Sequence, residues 1–179
     1  HLDVNSLRKI QKKFPNVKIL VPKGDLKLLR NYNLNNGFEF LWWEAITLNN
    51  TKFIFTPAQH WSARGLRDRN KSLWGSWFIK NEDKNIFHAG DTGYSDDFIE
   101  IRNRLGAVDF AMIPIGAYDP QWFMSYSHVN PEEALNIAKD LDAKKSIGMH
   151  WGTFILTDEP VLEPRERLKK ITNQTNINC

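Results

Sequence analysis

Apolar and polar positions along this chain repeat at the spacing of helices in some segments and form the short runs of strands in others, as in an α/β protein. Apolar residues recur at helical spacing from Leu2 to Phe14, and Asp3 is placed to cap that helix. Pro15 then ends it. After this helix the apolar residues fall into short runs of four to eight, which is the length of strands. The chain therefore begins with a helix and continues into a strand-rich region.

Short apolar runs bounded by Gly, Pro and Asn define the expected strands. We predict strands over Val17–Val21, Phe38–Trp43, Ala45–Leu48, Thr51–Thr56, Leu73–Lys80, Asn85–His88, Val108–Ile113 and Lys145–Met149. We predict further helices over Asp25–Arg30, Phe98–Leu105, Pro131–Leu141 and Pro164–Ile171. The strands between residues 38 and 56 are expected to form a meander, and residues 57–72 and 114–130 to form two long loops. Strands and helices alternate after residue 85, which indicates a layered α/β fold.

Length and composition narrow the class of protein. A chain of 179 residues with 41% hydrophobic residues can build one core, so we predict a single domain over residues 1–179. The net charge is +3 and both signs are scattered along the chain, which argues against a nucleic-acid-binding protein. Arg64, Arg67, Arg69 and Lys71 form a short basic stretch, but Asp68 interrupts it and we expect a solvated loop.

The sequence limits the cellular compartment of the protein and its cysteine chemistry only in part. No apolar run approaches the roughly 20 residues that a membrane span needs, and the chain shows no signal-peptide pattern. These observations favour a cytoplasmic protein, or one at the periphery of a membrane. The single cysteine, Cys179, excludes an intrachain disulfide.

The candidate chemistry centres on Asp91. It follows the predicted strand Asn85–His88 and lies between Gly90 and Gly93, which allow a tight turn. A carboxylate on a turn at a strand end is well placed for function, because the strand is rigid and the loop is open. On these residues alone, an ordinary turn with a solvated aspartate is the better explanation, and the positions of the histidines change that balance.

Four histidines lie at similar positions, where strands end or loops begin. They are His1, His60, His128 and His150. Imidazole nitrogens and a carboxylate oxygen are ligands for zinc and comparable metals. The positions could converge on one edge of a sheet with Asp91. For each histidine taken singly, an ordinary hydrogen-bonded side chain is the commoner role, and only their shared placement favours a ligand.

Several segments together resemble one protein family. They are Gln59–Ser62, Leu73–Trp77, Ala89–Tyr94, Ile113–Tyr118, Trp122–Met124 with His128, Pro131–Ala134 and His150–Phe154. In order and spacing these resemble the metallo-β-lactamase-fold hydrolases, and specifically the branch of N-acylphosphatidylethanolamine-hydrolysing phospholipase D. The resemblance covers nearly the whole chain. It implies an αββα sandwich, of which this chain would hold the C-terminal two-thirds without the first β-rich part.

The resemblance also implies a site with two zinc ions. In it His60 corresponds to a ligand of the first metal, Asp91 to a carboxylate that bridges both metals, and His150 to a ligand of the second. His128 corresponds to a catalytic histidine beside the substrate phosphate. His88 matches no ligand position and is expected to be structural.

The resemblance departs from the family pattern at the start of the chain. The family motif is His-x-His-x-Asp-His, whereas this chain begins His1-Leu2-Asp3. His1 therefore resembles the last histidine of the motif and a ligand of the second metal. The chain is expected to be truncated within the motif, which would leave His60 as the only protein ligand of the first metal. Since zinc usually takes three or four protein ligands, binding at the first position is expected to be impaired.

The implied activity is hydrolysis of a phosphodiester in an N-acylated phospholipid by metal-activated water. Two alternatives stay open: another hydrolase of this fold, of the lactonase or sugar-lactone type, and a truncated chain without activity. The expected partner is a phospholipid or another small phosphodiester, and no nucleic acid. Trp122, Phe123 and Met124 could dip into a lipid surface or pack beneath their loop. A homodimer is a further expectation, because an incomplete sandwich would expose a sheet face.

Overall fold

The computed structural model describes residues 2–175, and His1 and the last four residues are not among them. The helices are α1 Val4–Lys13, α2 Leu26–Asn31, α3 Asp97–Leu105, α4 Gln121–Met124, α5 Pro131–Asp140 and α6 Glu163–Thr175. The strands are β1 Ile19–Pro22, β2 Gly37–Phe40, β3 Ala45–Leu48, β4 Thr51–Thr56, β5 Ser76–Lys80, β6 Asn85–His88, β7 Phe110–Pro114 and β8 Ser146–Met149. The layered α/β arrangement expected from the sequence is confirmed, with mixed sheets and helices.

The chain packs as two compact units. The smaller unit contains residues 2–41 and 61–74, and the larger unit contains residues 42–60 and 75–175. The single domain expected from the sequence remains a prediction.

The smaller unit combines α1 and α2 with a two-stranded parallel sheet. Strand β1 pairs with β2, from Ile19 opposite Gly37 to Pro22 opposite Phe40. Its core is formed by five buried side chains: Val4, Ile19, Val21, Leu29 and Leu34. As the sequence predicts, Asp3 caps α1, and its carboxylate accepts hydrogen bonds from the backbone of Asn5 and Ser6 at 3.2 and 3.0 Å.

The expected meander over residues 38–56 is wrong in its first strand. That strand ends at Phe40, pairs in parallel with β1 and belongs to the smaller unit. Residues 42 and 43 form a turn instead of extending the strand. The apolar pattern indicated a strand there, but such a pattern carries no information about the pairing partner.

The larger unit is built on a six-stranded mixed sheet in the order β3-β4-β5-β6-β7-β8. Strands β3 to β6 are antiparallel neighbours, whereas β7 and β8 each run parallel to the strand before them. Because β4 and β6 are both antiparallel to β5, they point in the same direction. The carboxyl ends of β4, β6, β7 and β8 therefore lie along one edge of the sheet.

One hydrophobic cluster holds this sheet to its helices. Phe87 of β6 is fully buried, with its ring 6.5 Å from Phe78 of β5 and 6.2 Å from Phe98 of α3. Helix α5 adds Ala134, Ile137 and further side chains to the same cluster. The capping box predicted for α5 is present, with Asn130 and Glu133 bonded reciprocally at 2.9 and 3.0 Å. Within residues 2–175, no helix is long and apolar enough to cross a membrane.

Candidate metal centre

Four loops meet at the edge of the larger unit's sheet where β4, β6, β7 and β8 end. The loop after β4 carries His60, the loop after β6 carries Asp91, and the long connection after β7 carries His128. His150 directly follows β8. Ligand sites in open α/β sheets form at the carboxyl ends of strands, because loops there converge from a rigid frame. This edge is therefore the natural place for a site built from residues far apart in sequence.

The side chains on these loops do converge. One donor atom each from His60, Asp91 and His128 lies within 4.8 Å of the other two, a spacing suited to one metal ion. His150 joins them, with its Nε2 3.4 Å from Asp91 Oδ1. Three imidazoles and one carboxylate are a donor set that zinc and related ions accept.

His128 lies between the other two imidazoles. Its ring is edge-on to His60 at 5.3 Å between centroids and stacked on His150 at 5.5 Å. His128 Nδ1 is buried and has no hydrogen-bond partner among the described residues. Buried polar atoms are normally satisfied, so an orphaned nitrogen within a cluster of donors is consistent with a metal or a substrate oxygen at that place. The residues present thus fit the metal that the fold family implies.

The pKa of His128 reflects this environment. Burial, helped by the neighbouring imidazoles of His60 and His150, lowers the pKa to about 4 against the opposing effect of Asp91. The ring is therefore neutral at physiological pH. A neutral imidazole can donate a lone pair to a metal or hydrogen-bond an anion through its N–H.

The turn around Asp91 depends on both of its glycines. Gly90 has a φ of +66°, which favours glycine. A Cβ on Gly93 would lie 2.2 Å from the Tyr126 carbonyl oxygen, so only glycine allows that close approach. The Gly93 N–H also donates to the Gln59 carbonyl at 2.8 Å. The Asp91 turn is thereby fixed to the segments that carry His60 and His128.

Glu159 joins two of the loops that form the site. Its buried carboxylate accepts hydrogen bonds from the Ala117 and Asp119 backbone N–H groups at 2.6 and 3.0 Å. Ala117 has a φ of 68°, which an alanine adopts only when its surroundings hold it there. Glu159 follows β8 and Ala117 follows β7, so this contact ties the loop after His150 to the loop leading to His128. The sequence reasoning did not single out Glu159.

Replacing Glu159 with glutamine should destabilise the protein in a pH-dependent way. Burial alone would raise the pKa of Glu159, but hydrogen bonds from Thr157 and from the Asp119 and Ala117 backbone outweigh burial and lower it. A lowered folded-state pKa stabilises the protein above the ordinary value of about 4.5, and this stabilisation is lost as the pH falls through the folded-state pKa. We expect Glu159→Gln to reduce the free energy of unfolding by about 1–3 kcal/mol at pH 7, with the difference shrinking in acid.

Urea unfolding between neutral and acidic pH measures this effect. The matched control is Asp158→Asn, which changes the same charge on an exposed neighbour and should shift stability by less than about 0.5 kcal/mol. A difference between Glu159→Gln and the parent that is the same at all pH values would contradict the role given to the carboxylate.

The remaining two histidines, His1 and His88, were assigned different roles from the sequence. His1 lies outside the described residues, so its assignment as a metal ligand remains a prediction. His88 was expected to be structural, and its Nδ1 accepts a hydrogen bond from the Gly90 N–H at 3.1 Å. That bond supports the turn that leads to Asp91.

Known proteins are similar to this chain in sequence and in fold. A model of the beta-lactamase superfamily domain matches residues 1–151. N-acyl-phosphatidylethanolamine-hydrolyzing phospholipase D from Saccharomyces cerevisiae is 42% identical over 178 residues, which is 96% of this chain and 38% of that protein. N-acyl-phosphatidylethanolamine-hydrolyzing phospholipase D 1 from Caenorhabditis elegans is 41% identical over 182 residues, which is 96% of this chain and 51% of that protein. The chain thus spans about half or less of the curated relatives it matches.

Solved structures share this fold, and the metallo-β-lactamase-like fold expected from the sequence is confirmed. Igni18, a metallo hydrolase from the archaeon Ignicoccus hospitalis, superimposes with a TM-score of 0.71 at 21% identity, covering 96% of this chain and 66% of that one. At this identity the likeness concerns the fold alone. The family model, however, covers most of the sequence, including His60, Asp91, His128 and His150. This chain therefore belongs to the metallo-β-lactamase superfamily.

Proposed function

We propose that this chain carries part of the active site of a zinc-dependent hydrolase of the phospholipase D type, which cleaves a phosphodiester of an N-acylated phospholipid. The observation that carries the proposal is the convergence of His60, Asp91 and His128 with donor atoms within 4.8 Å. The relatives from yeast and nematode, whose names state this activity, support the substrate class.

In this proposal His60 would be a ligand of a first zinc ion, His150 a ligand of a second, and Asp91 would serve both. A carboxylate has two oxygens, so one side chain can contact both cations and reduce the repulsion between them. His1 is proposed as a further ligand of the second ion. When bound, zinc lowers the pKa of coordinated water to about 7 and stabilises charge on a phosphoryl oxygen.

His128 is proposed to act on the substrate phosphate. Its partnerless Nδ1 and its depressed pKa leave a neutral imidazole that can hydrogen-bond a phosphate oxygen or assist the departing alkoxide. Because its donor atom also lies within metal-binding distance of His60 and Asp91, direct ligation is the competing role. Replacement by asparagine separates the roles: loss of turnover with retained zinc supports contact with the substrate.

The lipid part of the substrate is proposed to meet α4. Trp122 and Phe123 are 85% and 68% exposed, with their rings 5.7 Å apart. These rings thus do not pack beneath their loop. Bulky apolar side chains on a surface partition into the boundary of a bilayer or micelle, which would place acyl chains near the loop that leads to His128.

Product analysis tests the proposed function. Zinc-loaded chain, with a His-x-His-x-Asp segment joined ahead of His1, is expected to convert micellar N-acylphosphatidylethanolamine to phosphatidic acid and an N-acylethanolamine. Replacing Trp122 and Phe123 with serine should raise KM for this micellar substrate and spare turnover of a short-chain, soluble phosphodiester. Hydrolysis of lactones without phosphodiester cleavage would favour the lactonase alternative, and no hydrolysis of either would favour an inactive chain.

A further inference from the structure

The two units differ sharply in charge. The smaller unit holds twelve lysines and arginines against four aspartates and glutamates, a net charge of +8. The larger unit holds twelve against seventeen, a net charge of −5. The overall value of +3 therefore conceals a strongly basic unit, although both signs are scattered along the sequence. A basic unit of this kind attracts anionic surfaces.

Cations in the smaller unit lie over exposed aromatic rings. The three pairs are Lys13 over Phe14 at 5.4 Å, Lys18 over Phe38 at 5.2 Å and Arg69 over Trp61 at 5.1 Å. The three rings are between 37% and 55% exposed. An aromatic ring beside a cation suits the headgroup region of a bilayer, where the ring meets apolar carbon and the cation meets phosphate.

The 61–74 loop presents an aliphatic side chain at its surface. Leu66 is fully exposed and lies between Arg64 and Arg67 in sequence. The loop is held in shape, since Asp68 accepts hydrogen bonds from the Arg64 and Gly65 N–H groups and the Arg64 side chain donates to the Leu2 carbonyl at 3.0 Å. Insertion into a bilayer would remove this leucine from water while the two neighbouring cations stay at the headgroups.

The smaller unit also has a shallow groove beside α1 that is lined mainly by polar side chains. Its volume is about 260 Å³, and it is lined by Arg8, Gln11, Lys12, Pro15, Tyr32 and Asn33. The Gln11 side chain donates to the Asn33 carbonyl at 3.0 Å, while its Oε1 is buried and has no partner in the part of the chain that the structure describes. Arg8 and Lys12 are one helical turn apart and both exposed, so they can contact one phosphate together.

We propose that the smaller unit is a docking surface for anionic phospholipid bilayers. Leu66 and the cation-paired rings enter the headgroup region, and Arg8 and Lys12 contact lipid phosphates. A duplex nucleic acid would match the charge but would give no partner to Leu66, an aliphatic side chain that gains nothing from a phosphate backbone. The proposal concerns this unit alone and does not depend on the metal centre or on the reaction proposed for it.

Vesicle co-sedimentation tests the docking surface. The chain should bind vesicles that contain phosphatidylserine and not vesicles of phosphatidylcholine alone, and added salt should weaken the binding. Replacing Arg8, Lys12 and Arg67 with glutamine should lower the affinity about 100-fold, because each cation near an anionic bilayer contributes about a fivefold factor. These side chains are exposed, so the fold should be unchanged.

The matched control removes three exposed cations from the larger unit, by replacing Lys52, Lys80 and Lys170 with glutamine. It alters net charge equally and should leave vesicle binding within a fewfold of the parent. Leu66→Asn should weaken vesicle binding and leave binding to duplex DNA unchanged. Equal losses for both triple variants, tighter binding to DNA than to vesicles at equal phosphate concentration, or no vesicle binding at all would overturn the proposal.

Discussion

Asp91→Asn is expected to lower the zinc affinity of the chain by at least about 100-fold, because even residues that only support a metal ligand typically contribute 10- to 100-fold. Asp91 is the only carboxylate in the set of donor atoms found within 4.8 Å among the described residues, and it lies 3.4 Å from His150 Nε2. An amide keeps the size of the side chain but removes the negative charge that offsets a divalent cation. Competition with a zinc-binding dye measures the affinity of the variant and of the parent.

The control for this experiment is Asp96→Asn, an exposed carboxylate five residues further along the chain. It changes the net charge by the same amount and should leave zinc affinity within about twofold of the parent. Circular dichroism should show that both variants keep the fold. Equal zinc affinity for Asp91→Asn and the parent would remove Asp91 from the metal centre, and with it the proposed bridging role.

Phe87→Ala should lower the free energy of unfolding by about 3–5 kcal/mol, which is a large part of the stability of a domain this size. Phe87 is fully buried, and its ring contacts Phe78 on one side and Phe98 on the other. Truncation leaves a cavity that close-packed neighbours fill only partly. Since β6 ends one residue after Phe87, the cavity also loosens the strand that positions Asp91.

Denaturant unfolding followed by tryptophan fluorescence measures the effect. Phe123→Ala is the matched control, because it removes the same side chain from a 68% exposed position and should change stability by less than about 0.5 kcal/mol. Phe87→Leu should fall between the two. Comparable stability for Phe87→Ala and Phe123→Ala would contradict the position of the core described above.

Local sequence patterns predict most of the elements here. The α5 helix is an example, since Asn130, Pro131 and Glu133 specify its start by short-range hydrogen bonding and fixed φ. The hairpin of β5 and β6 likewise follows from two apolar runs separated by a polar turn. Helix α4 was missed because its four residues, Gln121–Met124, are too short to show a period.

Long-range features were less accessible from sequence. Strand β2 was recognised as a strand, but its parallel pairing with β1 depends on packing in the smaller unit. The hydrogen bond from the Ala117 N–H to the Glu159 carboxylate joins residues 42 positions apart. Because any residue other than proline can supply a backbone N–H, such a contact leaves no pattern of residue types in the sequence. The excess of basic residues over 2–41 is visible in the sequence, but its combination with the basic stretch of residues 61–74 arises only in the folded chain.

The residues of the candidate metal centre were identified from the family resemblance, and the fold explains why they converge. Asp91 follows His60 by 31 positions and precedes His150 by 59, and no local rule brings these residues together. They meet because β4, β6 and β8 point the same way and end at one edge of the sheet. The convergence of His128 with His60 and Asp91 was expected from their positions at strand ends, but the resemblance placed His128 at the substrate and not within metal-binding distance of the other two.

X-ray absorption at the zinc edge of the zinc-loaded chain tests the central claim most directly, namely that the histidines and Asp91 of the larger unit bind metal together. We expect a first shell of nitrogen and oxygen at about 2.0–2.2 Å, with the multiple-scattering pattern of imidazole. That signal should be lost when His60 and His150 are both replaced by alanine. Zinc that is not retained by the parent chain, or a sulfur shell at about 2.3 Å from Cys179, would contradict the account.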